Sequence, residues 1–211
     1  MQYYLQYLTF KCHIEGYLTD NLCLDFVNTV TWDGLTTVRD EQIRGYGHLL
    51  DWAADRWVLA EHEVEQLREE AAADADARRR ALGRAWAFRR ALHDCLRAVV
   101  RREPPPEASV ALINSAIFTA PAPFALAPRA DGIALTMPAG PYPDLLQPVL
   151  RSAMRLLSSP DLARLRECAG ERCGRLYLDV TKNGSRRWCD METCGNRAKA
   201  RRHQARRRRT L

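Results

Sequence analysis

The apolar residues of this chain recur mostly at helical intervals. From Gly45 to Arg56, Leu49, Leu50, Trp52 and Ala53 share one face, which Trp57 and Leu59 continue. Ala60 to Ala73 and Ala77 to Arg101 are rich in Ala, Leu, Arg and Glu, and Leu82, Trp86, Leu92, His93, Leu96 and Val99 fall on helical steps. That spacing predicts a helical hairpin with a charged outer face. Asn21 to Val30 is ambiguous, because Leu22, Leu24 and Phe26 alternate while Leu22, Phe26 and Val30 lie four apart; Asp20 and Asn21 as caps favour a helix. Pro104-Pro105-Pro106 stops the long helical pattern. A short helix is expected from Glu107 to Phe118, a β-hairpin from Phe124–Ala127 and Gly132–Met137 around Pro128-Arg129-Ala130-Asp131, and a further helix from Tyr142 to Ser158.

Beyond Pro160 the pattern changes. Asp161 to Arg166 reads as a helix opened by that proline. Arg175 to Thr181 then alternates, with Leu176, Leu178 and Val180 on one face and Tyr177, Asp179 and Thr181 on the other. Lys182-Asn183-Gly184-Ser185 supplies a tight turn, from which Arg186 to Cys189 would return as a second strand. From Cys194 onward Ala, Arg, Lys and Gln dominate and predict a helix. Four of the seven cysteines frame this stretch as Cys168-x4-Cys173 and Cys189-x4-Cys194. Two such pairs aim four thiolates at one point, which closes a tetrahedral Zn2+ shell and makes the metal structural. Two disulfides are the competing arrangement, disfavoured by three further cysteines and by the lack of a charged start and apolar run in the first fifteen residues. The expected fold is a mainly α N-terminal domain with a small β-hairpin, followed by a small treble-clef-like zinc finger of knuckle, hairpin and helix. The expected divisions are an N-terminal extension over 1–20, a helical domain over 21–160 and the finger with its basic helix over 161–211. Loss of a ligand such as Cys189 is expected to unfold residues 168 to 197 and to leave the helical body intact.

Leu178-Asp179, the run Asn183 to Cys189 and the run Cys194-Gly195-Asn196-Arg197-Ala198-Lys199-Ala200-Arg201 closely resemble the CGNR zinc finger, whose name stands here at 194 to 197. Leu24-Asp25-Phe26-Val27-Asn28-Thr29 looks like the signature near the start of the ABATE domain that usually precedes that finger. The resemblance implies a bacterial, stress-responsive transcription regulator with a DNA-binding finger.

Charge sharpens that expectation. Residues 166 to 211 hold 14 Lys and Arg against 5 Asp and Glu, while residues 1 to 165 hold 18 against 21. An acidic body with a basic tail points to nucleic acid. Arg186, Arg187, Asn196, Arg197, Lys199, Arg201, Arg202 and Arg206 are the candidate contacts to duplex DNA. Asn196 and Arg197 sit where zinc would fix the backbone and could read bases; Asn196 could equally cap the helix. Arg206 to Arg209 alone reads as well as a frayed, solvated tail. RNA is the alternative partner, with Tyr177 and Trp188 as stacking surfaces. In the body, Asp25, Asn28 and Thr29 lie among apolar neighbours. They either fasten the following loop or, with Trp32 and Arg39, line a pocket for a small-molecule effector. No phosphate loop, nucleophile elbow or paired-histidine motif suggests an enzyme, and His48 and His62 stand alone. No stretch is apolar enough to span a membrane, and a cytoplasmic location is expected.

Overall fold

The computed structural model describes residues 21–33, 37–119, 125–129, 132–136 and 145–209, so the expected N-terminal extension lies outside the described residues. The ambiguous segment after Asn21 is helical: α1 spans Leu22–Val27, although the Asn21 side chain makes no capping bond. Six residues are too few for an isolated helix. Here Leu22, Cys23, Leu24, Phe26 and Val27 are all buried, so packing holds α1, with Phe26 against Trp52 at 5.0 Å and Phe88 at 6.5 Å between ring centroids.

An unforeseen hairpin follows directly. Strand β1 (Val30–Asp33) pairs antiparallel with β2 (Thr37–Glu41) and is bulged between Thr31 and Trp32. Helices α2 (Tyr46–Asp55), α3 (Glu61–Ala73) and α4 (Ala75–Arg101) come next. The expected hairpin of helices is present, but α4 starts two residues earlier than its composition suggests. Asp74 alone separates α3 from α4, and its carboxylate accepts the N–H groups of Asp76 (2.9 Å) and Ala77 (2.8 Å), satisfying two orphan donors at the new helix start. After the prolines come α5 (Glu107–Thr119), the hairpin β3 (Ala125–Arg129) with β4 (Gly132–Thr136), and α6 (Leu146–Ser158).

Two expectations for the finger need correction. Ser159 caps a 3-10 turn at Pro160–Arg164, not an α-helix, and the chain then extends as β5 (Leu165–Glu167). The partner of β6 (Leu176–Leu178) is β5, in the register Leu165↔Leu178, rather than residues 186 to 189. Asn183-Gly184 does turn, with Gly184 at φ +59 and its N–H on the Thr181 carbonyl at 3.2 Å. The flanks fail to pair because Asp179, 1% exposed, draws the loop inward, accepting the N–H groups of Thr181 (3.0 Å) and Arg186 (2.9 Å) and the Thr181 hydroxyl. The Thr181 hydroxyl is the main cause of a carboxyl held below its usual range.

The core surrounds α1 and takes in α2, α4, α6 and both strands that flank the first cysteine pair: Leu165 is 2% and Leu176 0% exposed in the same apolar cluster as Phe26 and Phe88. Polar groups fasten this junction. The Asn28 amide donates to the Leu176 carbonyl (2.7 Å) and accepts its N–H (3.0 Å), completing the second edge of β6. Glu167 accepts Arg97 and Arg101 of α4, each at 3.0 Å. The Gly174 carbonyl lies 3.0 Å from His93 Nε2, and at φ +62 a Cβ on Gly174 would meet Trp32 Cβ at 2.9 Å. Nearby, buried Arg89 forks onto Glu41 and donates to Thr29 Oγ1 at 2.8 Å, which ties the β1–β2 hairpin to α4.

Leu176→Ala removes a fully buried side chain from this shared core, so it should cost about 2–5 kcal/mol. Urea denaturation followed by helix signal is the check: loss should appear in the whole helical transition, whereas a change confined to metal affinity would show that β6 belongs to the finger alone.

Candidate metal centre and nucleic-acid interface

Cys168 closes the β5 end of the knuckle, its N–H donating to the Arg175 carbonyl at 2.9 Å. Arg172 and Gly174, at φ 61 and 62, turn the chain back, and Cys173 stands between them. Cys189 follows the Asp179 loop. Cys194 lies in a single π-helical turn, Met191–Gly195, capped by Asp190, whose carboxylate accepts the Thr193 N–H at 2.7 Å. The four sulfurs all lie within 4.8 Å of one another. Sγ–Sγ distances are 3.7 Å for Cys173–Cys189, 3.6 Å for Cys173–Cys194 and 3.8 Å for Cys189–Cys194.

A tetrahedral ion with Zn–S bonds of about 2.3 Å separates its sulfurs by about 3.8 Å, which these three separations match, and Cys168 lies close enough to complete the set. Cys168 Sγ also accepts the N–H groups of Gly170 and Cys189, both at 3.3 Å, which is the support a thiolate needs. Its thiol is driven far down, chiefly by donation from Cys173, while Cys173 and Cys189 are driven up, chiefly by the same Cys168 thiolate. A cluster that resists a second negative charge is stabilised by a divalent cation. Gly170 leaves room for that ion: a Cβ there would sit 3.1 Å from Cys194 Sγ and 3.3 Å from Cys168 Sγ. Four thiolates would complete the shell of a bound zinc and make it structural.

Helix α7 (Asn196–Arg209) leaves the metal directly. Arg187, Asn196, Arg197, Lys199, Arg201, Arg202 and Arg206 are exposed. Arg186 differs from these. Its Nε donates to the Trp188 carbonyl at 2.9 Å, a terminal nitrogen donates to the Cys189 carbonyl, and the guanidinium covers Tyr177 at 4.7 Å. Arg186 thus braces the loop that delivers Cys189, a role its charge alone does not reveal. Asp190 supplies the cap, and Asn196 has no side-chain hydrogen bond among the described residues.

The residues expected to line an effector pocket are spread over four environments. Asn28 holds β6 as described. Asp25 pairs with Arg56 at 2.9 Å. Trp32 is 4% exposed, with the Arg90 guanidinium over its ring at 4.5 Å and His93 beside it at 5.2 Å. Arg39 is exposed and lines a cleft of about 700 Å³ between the β1–β2 hairpin and the finger. A different cavity, of about 370 Å³, opens between α2, α3, α4 and the start of α6 over Leu49, Leu67, Ala85 and Leu145. Its Arg-rich rim looked like solvated surface because helical periodicity says nothing of concavity.

One zinc per chain is expected by elemental analysis, falling to none in Cys189→Ser. Gly170→Ala should retain the four ligands yet weaken metal affinity by at least tenfold in a chelator competition, since its methyl group crowds two sulfurs. Unchanged affinity would show that the knuckle yields without cost.

No helix of the described residues is long and apolar enough to cross a membrane. The family model of the CGNR zinc finger matches residues 164–207. That of ABATE, described as a putative stress-induced transcription regulator, matches residues 20–160. A search of curated proteins finds no match. The chain belongs to the ABATE family and carries a CGNR zinc finger after its ABATE domain.

Proposed function

We propose that this protein is a transcription regulator of bacterial cytoplasm that binds duplex DNA through α7 and senses a small effector in its helical body, and that it is not an enzyme. The composition of α7 carries the reading. Its sequence, NRAKARRHQARRRR, has eight basic residues, no acidic one and no apolar side chain larger than Ala. Such a helix gains little from packing, so its order rests on the zinc anchor and on neutralisation by a polyanion. Duplex is favoured over unpaired RNA because the ring of Tyr177 is covered by Arg186 and its hydroxyl donates to the Arg186 carbonyl at 2.7 Å, while Arg187 lies over Trp188 at 5.5 Å. The stacking faces that single-stranded bases would use are already engaged. Against catalysis, burial pushes the Cys23 thiol up to about 11, the reverse of nucleophile activation.

The sensing half rests on the cavity of about 370 Å³, a volume suited to a small ligand. Glu70 lines it with one carboxylate oxygen buried and without a partner among the described residues. An effector with an apolar body and a hydrogen-bond donor would satisfy that oxygen. A group kept for a ligand costs stability without it, so Glu70→Met should raise stability by about 1 kcal/mol. A loss of similar size in thermal denaturation would assign Glu70 a structural role.

Duplex binding is tested by its salt dependence. About six phosphate contacts give a log–log slope near −5, or roughly a thousandfold loss between about 50 and 200 mM salt. Asn196→Ala should relax preference at one base position, whereas Arg206→Ala should weaken all sequences alike and flatten the slope by about one. Salt-independent binding, or none by the zinc-loaded protein, would end this reading.

A further inference from the structure

The cleft of about 700 Å³ has walls from two parts of the chain. The body contributes Thr31, Arg39 and Asp40, and the finger contributes the knuckle with Arg172 and Arg175 and the first turns of α7 with Arg197 and Arg201. Five guanidinium groups therefore face two carboxylates, Asp40 and Glu171, in one concavity. Glu171 pairs with Arg201 at 2.8 Å, and Asp40 lies 3.9 Å from Arg44, outside the lining. Arg39 and Arg175 make no ion pair or side-chain hydrogen bond among the described residues. The zinc tetrathiolate beneath is dianionic, so an anion in the cleft needs this excess of cations above it.

Helical geometry shows what kind of anion fits. At about 100° per residue, Arg201 lies within about 40° of Arg197, whereas Lys199, Arg202 and Arg206 fall about 140–200° away. The basic residues from Arg197 to Arg206 thus form two opposed stripes. One faces the cleft, and the other faces away from the body. An α-helix in the major groove of B-DNA has a phosphate backbone on each side. Two opposed basic stripes match those two walls, and a helix lying on the outside of a duplex would use only one.

We infer that the cleft holds the phosphodiester backbone of one DNA strand, with Arg39 of the ABATE domain and Arg175 of the knuckle joining Arg197 and Arg201, while Lys199, Arg202 and Arg206 meet the opposite strand across the groove. This rests on the duplex-binding reading and adds the body to the interface. It makes the β1–β2 hairpin a determinant of affinity although it lies more than a hundred residues from the finger in sequence. Because Arg89 fastens Glu41 of that hairpin to α4, the position of Arg39 is set by the body core.

The test compares Arg39→Ala and Arg175→Ala with the full-length, zinc-loaded protein on one duplex between 0.05 and about 1 M salt. Each lost phosphate contact removes about 0.9 from the salt slope, which amounts to about a fivefold loss of affinity at about 0.15 M, alike for all sequences. Zinc content and helix signal should not change, and Arg39→Lys should keep the slope. Phosphate-ethylation interference should disappear on one strand in Arg39→Ala and on the other in Lys199→Ala. If Arg39→Ala and Arg175→Ala bind as the parent does while Arg206→Ala is weakened, the cleft is outside the interface and duplex binding by α7 stands. If the parent binds no duplex, both inferences fall together.

Discussion

Strand β6 belongs to two structures at once, and the rest of the molecule depends on how its two faces are filled. Leu176 points into the apolar core beside α1 and α6, while the next residue, Tyr177, packs with Cys168, Cys173 and Cys194. The alternation of a strand makes this division unavoidable. One edge of β6 is paired by β5 and the other by the side-chain amide of Asn28, which presents a donor and an acceptor as a neighbouring strand would. The finger is therefore continuous with the body. A zinc knuckle whose flanking strands lie in another domain's core cannot lose its metal without disturbing that core.

That sharing sets the placement of the basic surfaces. Glu167 is held between Arg97 and Arg101 one residue before the first ligand, and Gly174 touches Trp32 one residue after the second. The knuckle is thus fixed to α4 and to β1, which brings Arg172 and Arg175 opposite Arg39. Cys194 then fixes the start of α7. A change in body packing, such as the proposed effector would cause, would have a direct mechanical route to α7, because β5 and the knuckle pack on the body.

The four ligands and the helices were readable because each depends on local spacing. Cysteine pairs have a fixed separation, and α2 to α4 show a strong period with the prolines as punctuation. Four features were not readable. The β1–β2 hairpin follows a buried helix so closely that Val30 serves both patterns. The true partner of β6 was hidden because Asn183-Gly184 is a sound turn signal, and the loop is set by Asp179, whose bonds to Thr181 and Arg186 are tertiary choices. Asn28 stood out as a polar residue among apolar neighbours, and fastening was one of the two roles its pattern allowed; its partner, 148 residues away, has no local signature. The charge count likewise marked Arg186 as a DNA contact without revealing its bonds to Trp188 and Cys189.

Native-state hydrogen exchange with and without zinc addresses the shared strand most directly. None of the metal ligands lies in α1 or α4, yet Phe26 of α1 and Phe88 and Leu92 of α4 share the apolar cluster of Leu165 and Leu176. Removing zinc should lower their protection together with that of β5 and β6, by the same free energy, as one cooperative unit. Loss of protection confined to residues after Glu167, with α1 and α4 unchanged, would contradict the account and make the finger an independent appendage.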